Sequence, residues 1–220
     1  MLFILCFFLT LAGYVISKKI NQIFPQIPTI VYSMFIILGL LSLFKISYLD
    51  YSHLVDPLFN RLLGYVTVAL AIPLATMKYD DIPLKRTGLL ILFASTTASA
   101  LPVGLAYAAE LSRQTVLSFS TRSITTPIAL NIAEIVHAPP SLVTLIVILS
   151  GVIGALFSGV ILKNIQDERA AGLALGLAAH AIGTAQAWQR SPIAGKYAAF
   201  GMALNGILTA VWLPILFHFI

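Results

Sequence analysis

From Gly88 to the C-terminus, apolar runs of membrane-spanning length follow one another with only short charged connections between them. About 20 consecutive apolar residues cross the hydrocarbon core as a helix, so a chain of this pattern is confined to an all-α polytopic membrane fold. The composition agrees, since 59% of the 220 residues are apolar and 10% are charged. At that length the chain accommodates roughly seven or eight transmembrane segments and no sizeable soluble domain. Residues 1–220 therefore read as a single integral membrane domain.

The net charge of +5 carries little implication for nucleic acid, because Lys and Arg in such chains mark cytoplasmic loops. Met1 to Ser17 lacks a basic leader and a small-residue cleavage site and reads as an uncleaved first helix. Cys6 is the only cysteine, which excludes an internal disulfide, a multi-cysteine zinc site or an iron–sulfur cluster. No cofactor is implied.

A second span is expected from Thr29 to Phe44, followed by a mixed polar connection holding Lys45, Asp50, His53, Asp56 and Arg61. The next apolar stretch, 62–76, is short and carries Gly64 and Pro73. Short Gly- or Pro-interrupted segments point to a transporter's binding region, and an ordinary kinked helix is the alternative. A further span runs from Gly88 to Leu111, ahead of the most unusual stretch.

Ser118, Ser120, Thr121, Arg122, Ser123, Thr125 and Thr126 crowd into an otherwise apolar segment, 115–137. Thr126-Pro127 reads as an N-cap followed by proline at the first helical position. A helix beginning in mid-segment directs its positive dipole end and free N–H groups toward Arg122, which together make an anion site. The alternative is a structural arginine bonded to broken backbone. Whether the segment crosses the membrane or dips in and returns stays open, and the loop charges do not decide it.

After a glycine-containing span, 141–165, comes a run of small residues, 169–187. Gly172, Gly176, His180 and Gly183 or Thr184 share one face of a helix there, a surface that lets helix backbones approach closely. An imidazole on that face is expected to point at the bundle interior or a wet cavity, or to be a satisfied histidine bonded to a neighbour. Gly183-Thr184 is a second place where a helix can break. The last span, 198–220, carries Asn205, Gly206 and Thr209, and Asn205 either bonds across helices or lines a cavity. A weak internal symmetry relates the stretches around Pro73 and His180, each followed by one apolar span. If 115–137 returns, the two halves are inverted repeats.

VALAIPL at 68–74, RSITTPIA at 122–129, GVIGALFSG at 151–159, GLALGLAAHAIGTA at 172–185 and MALNGILTA at 202–210 resemble the signature segments of the LrgB/CidB family in order and spacing. The resemblance covers most of the chain after residue 60. It divides the chain into two peripheral spans, 1–60, and an LrgB-like core, 61–220. It implies a multi-pass protein of the bacterial inner membrane, described for the family as holin- or antiholin-like and as a modulator of murein hydrolase export and autolysis. It also implies a small LrgA/CidA-type membrane partner and a homo-oligomer. Relatives are linked to pyruvate uptake and, in plastids, to glycolate and glycerate exchange. The chain departs from the pattern at Gln186, where arginine is expected, in the loop 189–196, which lacks an acidic residue, and at Tyr65, often proline.

Two functions follow. A secondary transporter of small monocarboxylates would bind a small carboxylate anion through Arg122, Ser123, Thr125, Thr126, His180, Gly183, Thr184 and Asn205. A holin-like regulator would need no dedicated solute site. No carboxylate pair, metal cluster or nucleophile motif points to an enzyme.

Overall fold

The computed structural model describes residues 2–25, 27–69, 72, 75 and 84–218. Among them all regular structure is helical: α1 (Leu2–Ile23), α2 (Thr29–Leu43), α3 (Tyr48–Ala69), α4 (Leu84–Ala108), α5 (Arg113–Phe119), α6 (Thr126–Ile135), α7 (Pro140–Ile161), α8 (Glu168–Arg190) and α9 (Pro192–His218). Five of these, α1, α4, α7, α8 and α9, are long and apolar enough to cross a membrane, fewer than the seven or eight expected. The difference arises because α2 is shorter, α3 is polar in its first half, and α5 and α6 are each only part of a span. Large apolar side chains such as Phe93 and Val160 lie mostly on the outside, as lipid-facing positions do.

The chain forms two compact units, Met1–Ala69 and Leu70–Ile220. In the first, Gly13 of α1 gives way to Ile37 of α2, and Thr10 and Tyr51 share a hydroxyl–hydroxyl bond of 2.8 Å. The expected polar connection between 45 and 61 is instead the start of α3. Ser47 and Asp50 form a capping pair, with Asp50 N donating to Ser47 Oγ at 3.1 Å and Ser47 Oγ donating to Asp50 at 2.8 Å. Polar residues do not end a helix that is capped this way. Pro73, the expected kink, lies outside the described residues.

The second unit is organised by two reversals. The first lies inside α8, where Ala179 (φ −126°, ψ 16°) and His180 (φ 41°, ψ −128°) leave helical geometry. An unbroken helix of 23 residues would hold its ends about 33 Å apart. Arg190 Nη2 nevertheless sits 2.9 Å from Glu168 Oε1, so the two limbs, 168–178 and 181–190, return to the same side of the membrane. The expectation that residues 172–184 share one face of a continuous helix is therefore corrected, and the break falls at Ala179–His180 instead of Gly183–Thr184. Sequence reasoning favoured the glycine, but the reversal is held by side chains. The His180 ring bonds α7, and Thr184 Oγ1 donates 2.8 Å to the His180 carbonyl. Gly183 has its own part: a Cβ there would run into the Leu175 carbonyl of the other limb and Ala179 at the turn. Gly172 and Gly176 do pack as a small surface, against the backbone of Ala194 and Ala198 in α9.

The second reversal joins α5 to α6 through residues 120–125, where a break was expected. Arg113 at the start of α5 and His137 just past α6 line one cavity of about 780 Å³, together with Leu111, Pro214 and Phe217. Both ends thus lie on one side, and the segment re-enters. Thr125 (φ −71°, ψ 146°) is the N-cap of α6, one residue before the position expected, and its side chain makes no capping bond.

The α5–α6 hairpin enters from the side where α9 ends, α7 crosses away from it, the α8 hairpin enters from the far side, and α9 crosses back. Hairpin plus span is thus repeated in the opposite direction, the inverted arrangement of many transporters. The sequence carries the same duplication: Arg122-Ser-Ile-Thr-Thr matches His180-Ala-Ile-Gly-Thr, and Leu149-Ser-Gly-Val-Ile matches Leu204-Asn-Gly-Ile-Leu. The repeat pairs these two hairpins, where the sequence reading had paired Pro73 with His180.

The base of the α8 hairpin is tied firmly. Arg190 donates to Glu168 and to the carbonyls of Leu162 and Ile165, and Ser191 Oγ donates 2.7 Å to Glu168. Asp167 caps α8 by accepting from Arg169 N at 2.9 Å, which holds its carboxyl below the usual carboxylate range. Ala194 N donates to Ser191 Oγ at 3.0 Å, so α9 starts at Pro192 and absorbs most of the expected loop 189–196.

Candidate functional site

The two hairpin tips meet at the middle of α7. Ser150 Oγ donates to the Arg122 carbonyl of the first tip at 2.5 Å. Three residues earlier, the Val147 carbonyl accepts from His180 Nε2 of the second tip at 2.9 Å. A carbonyl only accepts, so this bond places the proton on Nε2. Gly151 makes room for the imidazole, since a Cβ there would lie 2.6 Å from His180 Cε1. Gly154 does the same for Ala179, at 2.7 Å. Small residues on α7 thus serve a purpose beyond helix packing.

The middle of α9 completes the meeting point. Asn205 is fully buried, and its Nδ2 donates 2.8 Å to the Ser123 carbonyl. Thr184 Oγ1 also lies 3.6 Å from Met202 Sδ. Ile124 anchors the first tip in an apolar cluster with Ala129, Ile132, Val143, Val147 and Leu213. Both returning limbs, α6 and 181–190, begin at this depth, so the positive dipole ends of two helix N-termini point into the centre.

The residues expected to form a site fall into two groups. Arg122, Ser123, Thr125, Thr126 and Asn205 come together at the first tip, while His180, Gly183 and Thr184 build the second. His180 is packed and bonded to α7 and only 3% exposed. The α7 positions Val147, Ser150 and Gly151 were missed, although Ser150-Gly151 is the counterpart of Asn205-Gly206 in the duplication.

Polar atoms without partners concentrate at the first tip. Among the described residues, Arg122 Nε, Thr125 Oγ1 and Asn205 Oδ1 are buried with no hydrogen-bond partner, as are Ser99 Oγ and Trp212 Nε1. Buried polar groups are almost always satisfied, so an unsatisfied cluster calls for an explanation such as water, an ion or a ligand. The described residues contain no group of three His, Cys, Asp or Glu able to hold a metal. The first tip and its neighbours on α7 and α9 carry cationic, hydroxyl and amide groups and no carboxylate. Chemically that set suits a small anion.

Comparison with known proteins places this geometry in a family. Residues 10–219 match the model of the LrgB-like family, which extends the resemblance into the first helix, well ahead of the motifs that carried it. An uncharacterized protein of Bacillus subtilis, YwbG, is 31% identical over 98% of this chain and 98% of its own. A Haemophilus influenzae protein is 30% identical over 97% of this chain and 94% of its own. The holin-like protein CidB of Staphylococcus aureus is 28% identical over 97% of this chain and 95% of its own. No solved structure matches the chain.

Proposed function

The chain belongs to the LrgB-like family, and from that premise and the geometry of the two tips we propose that it is a secondary transporter of small monocarboxylates, of the pyruvate, glycolate and glycerate class, in the bacterial inner membrane. The observation that supports this most is the unpartnered Arg122 Nε at the first tip. A guanidinium stays protonated at physiological pH and pairs with carboxylates in fixed geometry. Charge at this depth in a bilayer is costly and marks solute pathways. In this reading Arg122 and the α6 N-terminus neutralise the substrate carboxylate, Ser123, Thr125 and Thr126 supply hydroxyl groups, and Asn205 closes the site from α9. His180, with Gly183 and Thr184, forms the opposing tip and is the titratable group at that depth.

The test is uptake of labelled pyruvate and glycolate into proteoliposomes holding the full chain. Arg122→Ala should abolish uptake in protein that elutes as a single folded species. Unchanged uptake in that variant would remove the basis of the proposal. The second reading, a holin-like regulator of murein hydrolase export and autolysis, draws on the name of the S. aureus relative. It predicts release of an entrapped dye much larger than the acids, which a carrier does not permit.

A further inference from the structure

The cavity of about 780 Å³ at the open end of the α5–α6 hairpin lies away from both tips, and its lining is graded by depth. Leu111 follows α4, Arg113 opens α5 and His137 follows α6, so these three stand at the rim. Val103 is more than a turn inside α4 and Leu117 a turn inside α5, roughly 6 Å below the rim. Val116, Pro214 and Phe217 continue the apolar wall. Tyr107 and Ile135, 78% and 58% exposed, carry it out to the lipid-facing flank.

The charge at the rim has no use within the fold. Arg113 has no ion pair or hydrogen bond among the described residues, and the side chains of His137 and Tyr107 have none either. Glu110 and Glu134 are chain neighbours of lining residues, but no carboxylate is among the residues that line the cavity. Nor does Arg113 belong to the basic set that orients such a chain, because Lys85, Arg86, Lys163, Arg169, Arg190 and Lys196 gather at the opposite end of the second unit. His137 is held at the rim by the backbone. Ala138 N donates 2.9 Å to the Ala133 carbonyl and closes α6 with His137 in the left-handed conformation (φ 55°), a position that glycine or asparagine usually takes.

An unpaired cation above an apolar hollow, at the end of membrane-spanning elements and open toward lipid, is complementary to an anionic amphiphile. We infer that this cavity binds an anionic phospholipid, with the phosphate at Arg113 and His137 and an acyl chain along the wall from Leu117 to Phe217. Basic pockets between transmembrane helices hold anionic headgroups in this way. A water-soluble anion would leave the apolar wall without a partner, whereas each methylene of an acyl chain buried there adds to affinity. A zwitterionic lipid brings its own cation next to Arg113. The inference is independent of the transport reading and goes beyond it.

Thermal unfolding of the full chain in a neutral detergent, with added phosphatidylglycerol or phosphatidylcholine of the same acyl chains, tests it. At saturation phosphatidylglycerol should raise Tm by about 5 °C more than phosphatidylcholine. Arg113→Gln should remove that difference, and Lys163→Gln, exposed at the opposite end, should retain it. His137→Asn suits the left-handed position and should reduce the difference; an unchanged difference overturns the part given to the imidazole. sn-Glycerol 3-phosphate, a headgroup without chains, should leave Tm where it is. Equal shifts with the two lipids in the wild type overturn the site without any variant. A difference that survives in Arg113→Gln, or that falls equally in Arg113→Gln and Lys163→Gln, overturns it as well, the second result marking general charge attraction. A shift with sn-glycerol 3-phosphate equal to that with phosphatidylglycerol overturns the lipid in favour of a water-soluble anion.

Discussion

Gly176→Ala tests the packing that holds the second hairpin in place. A methyl group at Gly176 would run into the carbonyl oxygen, carbonyl carbon and Cα of Ala198, all backbone atoms that no rotamer change can move. Ordinary contact begins near 3.4 Å, so the limb 168–178 and α9 would have to separate by roughly an ångström or more. Overpacking of this kind costs about 1–3 kcal/mol where side chains can adjust, and a backbone-against-backbone clash belongs at the upper end. For a chain of this size about 2–3 kcal/mol corresponds to a fall in Tm of about 5–10 °C. The same separation would pull His180, four residues on, away from the Val147 carbonyl. Thermal unfolding in detergent, followed by size-exclusion recovery after heating, reads the effect. Ala174→Leu, on the exposed side of the same limb, is the control and should change Tm little. A Tm for Gly176→Ala within about 2 °C of wild type, or an equal drop in both variants, would refute the close-approach argument.

The reversal inside α8 predicts that cysteines placed at positions 168 and 190, in a Cys6→Ala background, are joined by a bis-maleimide of about 10 Å reach, whereas a straight helix would hold them about 33 Å apart; absence of the crosslink in folded protein would restore a spanning helix. Gly151→Ala should displace the His180 ring, which the added carbon would approach to 2.6 Å, and reduce uptake without altering the α8 crosslink; full activity would show that the ring's seat is not needed.

The membrane class, the break near Pro127 and the small surface at Gly172 and Gly176 were legible because each has a local signature: hydropathy, a Thr-Pro pair, a spacing of four. The reversal at His180 has none. In the sequence, residues 169–187 offer Gly183-Thr184 as the place for a break, whereas the residue that turns is neither glycine nor proline. What makes the turn possible is remote in sequence, namely the Val147 carbonyl, the space left by Gly151, and the Glu168–Arg190 pair that brings the limb ends together. Likewise α3 was misread as a connection because its charges outweighed the Ser47–Asp50 cap in the reading. Span counting by length alone fails here for the same reason, since α8 has the length of a span and the path of a hairpin.

The site follows the same division. Arg122 and Asn205 stood out as polar residues in apolar segments, and the structure places Ser123 between them as the residue whose carbonyl Asn205 holds. Their joint meaning needed the duplication, which is faint as sequence: only Ile124 and Thr126 recur as Ile182 and Thr184 around the unlike pair Arg122 and His180. With the two hairpins as inverted copies, the unlike positions are the informative ones. The positions where the copies agree, Ile124 with Ile182 and Gly151 with Gly206, meet the apolar interior or a close neighbour and are fixed by packing. The positions where they differ are Arg122 against His180 and Asn205 against Ser150. Arginine and asparagine leave Nε and Oδ1 unpartnered, while histidine and serine bond the backbone of neighbouring elements through Nε2 and Oγ. The duplicated scaffold thus ties both tips to the spans, through Ser150 and Asn205 at the first and His180 at the second, while unpartnered side-chain atoms are left at Arg122 and Asn205.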